Sequence, residues 1–476
     1  MPKKYEFDAV VVGSGPNGLA AAITIARAGY SVQLIEAAER VGGGMRSSEL
    51  TTPGFIHDIC SAIHPLGIAS PFFRSLNLAQ YGLNWVNPPT PLAHPMDDGT
   101  VTLLERTVED TALNLGNDGK RYRQIMKPLT EKWEPLINDL LRPLHMPRHP
   151  LLLASFGRLA ISSAEHIAKS NFASQRSQAL IAGLAAHSIL PLDHRGSVAI
   201  GMLLAGAAHA VGWPIAAGGS QAIAVALAAC LTGLGGKIQT GRKIASFKEL
   251  PSAMVTLLDV TPRQFAEIMG DQLMGSYREK LAHYRYGPGV FKMDWALDRP
   301  IPWRNPECLK SATVHLGGTF EEIAAAESTV WCGQIPEKPL VILAQQSLFD
   351  ASRAPAGKHI AWAYCHVPNS STYDMSNRIE AQIERFAPGF KDIILERHIM
   401  NTLDMETYNQ NYVGGDIAGG IQSPFRLLLR PWGRWKAYTT SVSGVYICSS
   451  SMPPGGGVHG MCGYHAAQRA LHEVLY

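Results

Sequence analysis

Three glycines, Gly13, Gly15 and Gly18, stand in a GxGxxG arrangement with Ser14, Pro16 and Asn17 between them, and an acid, Glu36, follows about twenty residues later. Such a set can hold two phosphates and a ribose. Gly13 permits a tight turn, Gly15 lets the backbone approach a pyrophosphate, and Gly18 lets a helix lie close on a sheet. The phosphates would meet the unpaired N–H groups and the positive end of that helix. Glu36, with Ala37 beside it, is placed to accept hydrogen bonds from ribose hydroxyls, and its charge would repel a 2′-phosphate, which argues against NADP. A second glycine turn, Arg40-Val41-Gly42-Gly43-Gly44-Met45-Arg46, can bring further N–H groups and a cation to the same pyrophosphate.

Positioning these residues takes a strand, a turn, a helix and a second strand. The sequence has them in that order: an apolar run over 9–12, an alanine-rich helix pattern to about residue 28 closed by Gly29, and a strand over 31–35 that delivers Glu36. With the second glycine turn added, residues 8–46 resemble the flavin-dependent amine oxidase and phytoene desaturase superfamily. The resemblance implies that Gly13, Ser14, Gly15, Pro16, Asn17, Gly18, Glu36, Ala37, Gly43, Gly44, Met45 and Arg46 bind FAD. The fold class it implies is α/β, with a discontinuous Rossmann-like FAD-binding domain (1–75, 211–285, 426–476) and a mixed-sheet substrate domain with a helical cap (76–210, 286–425).

Later segments fit this division. A glycine turn at 212–220 opens a helix over 221–234 and a strand over 237–240, and in the superfamily such a unit re-enters the FAD domain, making Ile244 the candidate backbone contact to adenine. Phytoene desaturases usually insert a β-meander next. Here residues 254–260 (MVTLLDV) follow almost at once, so the chain departs from that pattern and phytoene cannot be assumed as substrate. Strand candidates at 290–297, 312–316, 340–345 and 360–367 alternate with helices, one opened by Thr319 and Glu322. Near the C-terminus a strand, the turn Ser449 to Met461 and a helix resemble the closing motif of phytoene desaturases. The resemblance places Ser449, Val458, His459, Gly460 and Met461 at the flavin.

A bound flavin would accept the hydride itself, leaving position and electrostatics to the protein. Lys292 is the first catalytic candidate, because GPGVFKMDWALDRPIPW resembles the amine-oxidase segment whose lysine holds a water at the flavin. By itself a lysine on the polar face of a strand is ordinarily solvated. His64 and His459 are candidate proton donors or bases, with a hydrogen-bonded structural histidine as the alternative for each. His315 and residues 411–416 could border a substrate cavity. Cys448 and Cys462 stand near enough for covalent flavin attachment, although buried thiols are the commoner state. There is no HExxH or GxSxG pattern and no second strand-GxGxxG-helix unit, so a metal site, a serine hydrolase and a dedicated NAD(P)H site are not expected.

Composition narrows the classes further. Of 476 residues 17% are charged, against roughly a quarter in ordinary domains, and 46% are hydrophobic, which calls for a large interior, an apolar cavity or a lipid-facing surface. A net charge of +3 without a dense basic run gives no sign of a nucleic-acid partner. Seven cysteines without a CxxC pair read as free thiols. No signal peptide is read before the first strand, and the apolar run at 198–212 falls short of a bilayer span of about twenty residues, so a cytoplasmic protein is expected, with peripheral membrane contact left open. The apolar stretch 151–159 could be packing, a substrate tunnel or a membrane contact.

Three functions follow: an FAD-dependent dehydrogenase or desaturase of an apolar, including isoprenoid or lipid-like, substrate, passing electrons to oxygen or a quinone; a flavin amine oxidase, which should show an aromatic cage hinted at by Trp435 and Tyr438; or a flavin-bound interaction protein with little turnover.

Overall fold

The computed structural model describes residues 5–423 and 437–476. Its first sheet grows from the two apolar runs that flank the first glycine turn. β1 (Phe7–Val12) and β2 (Val32–Ile35) are buried at nearly every position, as strands covered on both faces must be. They pair in parallel from Ala9 with Val32 to Val12 with Ile35. Among the described residues the sheet has five strands, in the order Val445–Ile447, Ala253–Leu258, β1, β2 and Lys237–Gln239, all parallel. No strand interrupts the link between Gln239 and Ala253, so the abbreviated connection read from the sequence is present.

α1 (Pro16–Arg27) starts with Pro16 in its first turn, where the missing N–H is no loss. Gly15 caps it without a side chain and its first turn carries no acid, which leaves the positive helix end open. Gly18 sets the depth of packing, since a Cβ there would run into the Gly13 carbonyl. On the other side of α1, Gly463 of the last helix (Met461–Ala470) would strike the Asn17 carbonyl if it had a Cβ.

The second sheet has seven strands among the described residues, mixed in direction: Ile394–Met400, Gly289–Leu297, His359–Val367, Val341–Ala344, Ser311–Leu316, Thr90–Pro95 and Val101–Leu104. Alternation along Gly289–Leu297 sorts its side chains as expected. Phe291, Met293, Trp295 and Leu297 enter one core with Ile379, Ile383 and Phe386, whereas Val290 faces the core beneath the cap. The edge strand Ile394–Met400 is missing from the strands read in the sequence, because Glu396 and Arg397 interrupt its pattern on an exposed edge.

A run of helices from Gly119–Glu131 to Val198–Ala210 covers this sheet. Among the described residues no helix is long and apolar enough to cross a membrane. The helix Pro150–Ala160 buries only Phe156 and Ala160 and leaves Leu151 87% exposed. None of its residues lines the central cavity, so the tunnel reading of 151–159 is corrected: the cap reaches the cavity through His187 and Ile189, after the helix Gln175–Ala186, and through Ile200 and Leu204 of Val198–Ala210.

Candidate functional site

A cavity of about 740 Å³ runs from the first glycine turn to the second sheet. Its outer part is built by strand ends of the parallel sheet, where ligands of such sheets bind. Gly13, Ser14, Gly15, Pro16 and Asn17 form one wall, Glu36, Ala37 and Ala38 the next, and Gly43, Gly44 and Arg46 a third. The two turns approach each other closely: a Cβ on Gly43 would lie 2.9 Å from the Gly15 Cα. Ser14 ties them together, its carbonyl accepting from Gly42 N–H at 3.1 Å.

Glu36 is buried at this junction. Its Oε2 accepts from the Ser14 N–H at 2.8 Å and hydroxyl at 2.6 Å, and its Oε1 from the Ala38 N–H at 2.9 Å and Arg46 Nη2 at 3.4 Å. Arg46 lies 5.1 Å from the Tyr408 ring centroid, and Tyr408 donates to the Gly43 carbonyl at 2.6 Å. Two buried polar atoms on these walls, Asn17 Oδ1 and Arg46 Nε, find no partner in the protein. Glycine walls, an open helix end, a buried acid and unspent polar atoms fit a dinucleotide, whether flavin or nicotinamide in kind.

Asp259 joins this group from the end of Ala253–Leu258. Its Oδ2 accepts from the Gly18 N–H at 2.8 Å, and a Cβ on Gly15 would come within 2.9 Å of that oxygen. Burial pushes its pKa up, Gly18 opposes the shift and Glu36 adds to it, with the result about 7. An acid at the carboxyl end of a parallel strand is the signal that singled out Glu36; here, 241 residues away from Gly18, it went unread.

The inner part of the cavity is apolar and aromatic. Ile189, Ile200, Leu204, Trp213, Ile342 and Trp362 line it, with Cys60, His187, Thr313, Tyr364 and Tyr412. Trp213 donates to Thr313 Oγ1 at 2.9 Å. Trp362 and Tyr364, two residues apart on one strand, meet edge to face at 74°. Neither His187 nor Trp362 stood out in the sequence, because nothing local marks them.

Of the expected cofactor residues, Gly13, Ser14, Gly15, Pro16, Asn17, Glu36, Ala37, Gly43, Gly44, Arg46, Ile244 and Val458 line the cavity. The rest stand behind it. Gly18 and Met45 are packed inside, Ser450 takes the lining position instead of Ser449, and Met461 belongs to the core around α1. Gly460 adopts φ +70 where a Cβ would press on Ala20 and Phe73.

The three catalytic candidates are also displaced from the cavity surface. His459 is buried, its Nδ1 accepts from the Met461 N–H at 3.0 Å, and burial lowers its pKa to about 4. His64 pairs with Ser220 at 2.8 Å and is lowered by burial to about 4, while its neighbours Ile63 and Pro65 form the wall. Lys292 is 1% exposed, ion-paired with Asp294 and 5.9 Å from the Trp362 ring centroid, and it is not among the residues that line the cavity. The alternative of a solvated lysine is corrected accordingly. Asn411 and Tyr412 border the cavity, and His315 stands one residue behind it. Tyr438 donates to the Pro453 carbonyl within the core, away from the cavity, and Trp435 lies outside the described residues. None of the seven cysteines is in a disulfide among the described residues, and Cys448 and Cys462 are buried off the cavity.

Residues 11–77 match the family model of the NAD(P)-binding Rossmann-like domain. Beyond that segment, pyridine nucleotide-disulfide oxidoreductase domain-containing protein 2 of Rattus norvegicus is 24% identical across 99% of this chain and 94% of its own. The chain is a homologue of that protein along its whole length. In structure it is similar to an oxidoreductase from Methanosarcina mazei, with a TM-score of 0.64 at 16% identity over 98% of this chain and 100% of that one. Putrescine oxidase bound to putrescine gives 0.62 at 17% identity, covering 98% of both chains. These likenesses establish the two-sheet fold. The relative and both neighbours carry oxidoreductase or oxidase names, and the Rossmann-like match covers residues 11–77 of this chain.

Proposed function

We propose that the chain is an FAD-dependent oxidoreductase of the dehydrogenase type whose substrate is a neutral, largely apolar small molecule. One observation carries the reading: the charged residues of the cavity lining, Glu36, Arg46, Arg242, Lys243, Asp259 and Glu267, all belong to the dinucleotide end. The inner end offers a substrate no carboxylate and no unpaired cation among the described residues. A cationic amine entering there would lose its hydration without gaining a counter-charge, which costs several kcal/mol. Lys292 and Asp294 pair with each other, and neither lines the cavity.

When bound, FAD supplies the two-electron acceptor. Ser14 to Asn17, Gly43, Gly44 and Arg46 would hold its pyrophosphate, Glu36 its ribose and Ile244 its adenine, while the aromatic and aliphatic inner walls would exclude water from the reacting end. A diffusing oxidant, oxygen or a quinone, would serve as the final electron acceptor.

The test is anaerobic bleaching of the flavin. Neutral alcohols and hydrocarbons are expected to include reductants and amines to fail; rapid bleaching by amines with peroxide release in air would contradict the reading.

Asp259 adds a pH dependence. The folded chain keeps its proton up to about pH 7, whereas the unfolded chain releases it near 4, so folding stability from this group declines as pH rises between those values. Once ionised, it also repels a pyrophosphate at the adjacent turn. Asp259→Asn keeps an acceptor for Gly18 and removes the charge. Equilibrium dialysis at pH 6 and pH 8 should show FAD retention weakening several-fold in the parent and little in the variant.

A further inference from the structure

We propose that His187 presents a fixed hydrogen-bond acceptor, Nδ1, to the apolar end of the cavity, so that the substrate is an apolar alcohol. This deepens the function proposed above and rests on it. His187 ends the cap helix Gln175–Ala186 and is the one imidazole among the residues lining the cavity. Its Nε2 is turned to His315 Nε2 at 3.0 Å, and Nδ1 makes no hydrogen bond to the described residues. Burial lowers its pKa to about 3, so the ring is neutral and carries one proton.

Which nitrogen carries that proton is decided by the imidazoles behind it. His94 Nε2 lies 2.8 Å from the Gly318 carbonyl, which can only accept; His94 is therefore protonated at Nε2 and bare at Nδ1. His94 and His315 stand edge to face with centroids 6.5 Å apart, and both turn Nδ1 toward Gly183. A Cβ at that glycine would lie 2.6 Å from His315 Nδ1 and 3.3 Å from His94 Nδ1. Neither nitrogen has a hydrogen-bond partner among the described residues, and both are buried. Two bare nitrogens facing one dry spot would repel, so His315 carries its proton at Nδ1, toward the lone pair of His94. Its Nε2 is then bare and accepts from His187 Nε2–H. The polarity set at Gly318 thus runs through three rings and leaves His187 Nδ1 as a lone pair at the cavity wall.

His187 is half-buried, and an acceptor that an apolar ligand covers without offering a donor loses the free energy of its hydration, so the site favours a ligand with an O–H at this point over the same ligand without one. An ammonium could donate as well, but it would carry its charge into a wall lacking any carboxylate. His315 acts through His187 and is a positioning residue.

The experiment titrates the purified protein, with whatever cofactor it retains, by calorimetry with cyclohexylmethanol, methylcyclohexane and cyclohexylmethylamine. The alcohol is expected to bind about tenfold tighter than the hydrocarbon and tighter than the amine, and His187→Phe to erase the first difference while keeping hydrocarbon binding. A histidine ¹⁵N spectrum should show a bare, pyridine-type Nδ1 on His187, and His315→Phe should mix its tautomers. Equal binding of alcohol and hydrocarbon, an alcohol preference surviving in His187→Phe, tighter binding of the amine, or a protonated Nδ1 would each overturn the proposal. If a variant does not fold, the parent titration and spectrum decide alone. Flavin absorbance of the same sample separates the two readings: a colourless protein that prefers the alcohol sinks only the flavin, and a yellow protein indifferent to the hydroxyl sinks only this proposal.

Discussion

Asp58→Ala is expected to lower folding stability by about 3–5 kcal/mol, the range for stranding one half of a buried ion pair. Asp58 and Arg353 are both fully buried and meet at 2.8 Å. The same carboxylate accepts from Ser47 Oγ at 2.7 Å, Ser220 N–H at 2.7 Å and Gln346 Nε2 at 3.2 Å. These partners come from the segment after the second glycine turn, the start of the helix Gln221–Gly233 and the substrate-domain chain, so one side chain joins both halves of the molecule. Removing it leaves Arg353 charged and dry. Replacing both members, as Asp58→Leu with Arg353→Met, should restore much of the loss, which unfolding midpoints of the three variants would reveal. Burial alone would raise the Asp58 pKa, but Arg353 and the Ser220 N–H more than offset it and the net shift is downward. The contribution is therefore complete above about pH 4 and is lost as pH falls through the lower folded value.

Gly18→Ala should be nearly as severe, and should strike the cofactor as well. The added methyl meets the Gly13 carbonyl, a backbone group that no rotamer change can move. Either α1 lifts from the sheet or the turn deforms, and overpacking of this kind costs about 1–3 kcal/mol or more. Lifting α1 also withdraws the helix end from the phosphate site and breaks the Gly18 contact to Asp259. The expected outcome is a melting temperature lower by several degrees and loss of bound dinucleotide on gel filtration. Gly29→Ala is the control: it removes a glycine of the same unit where a Cβ would meet nothing within 4 Å, so it tests backbone strain at φ +88 without the collision.

Much of the dinucleotide end could be read from residues 8–46 because its determinants are local. Turn, helix and acid follow in one stretch, and glycines report their own close approaches. The inner end was less legible. Lys292 sits on the expected face of its strand, but the residue beside it that lines the cavity is Trp362, 70 positions away in sequence. His64 and His459 lie beside wall residues rather than on the wall, a difference of one position that backbone direction decides and spacing does not. His187 gains its meaning only through His315, a partner 128 residues away. Asp259 carried the same signal as Glu36 without a glycine turn of its own to draw attention to it.

The most direct measurement is to denature the purified protein and identify what it releases. One FAD per chain, bound again by the refolded or stripped protein and lost in Gly18→Ala, is the predicted result. A colourless protein that takes up no FAD at micromolar concentration would contradict the account at its centre.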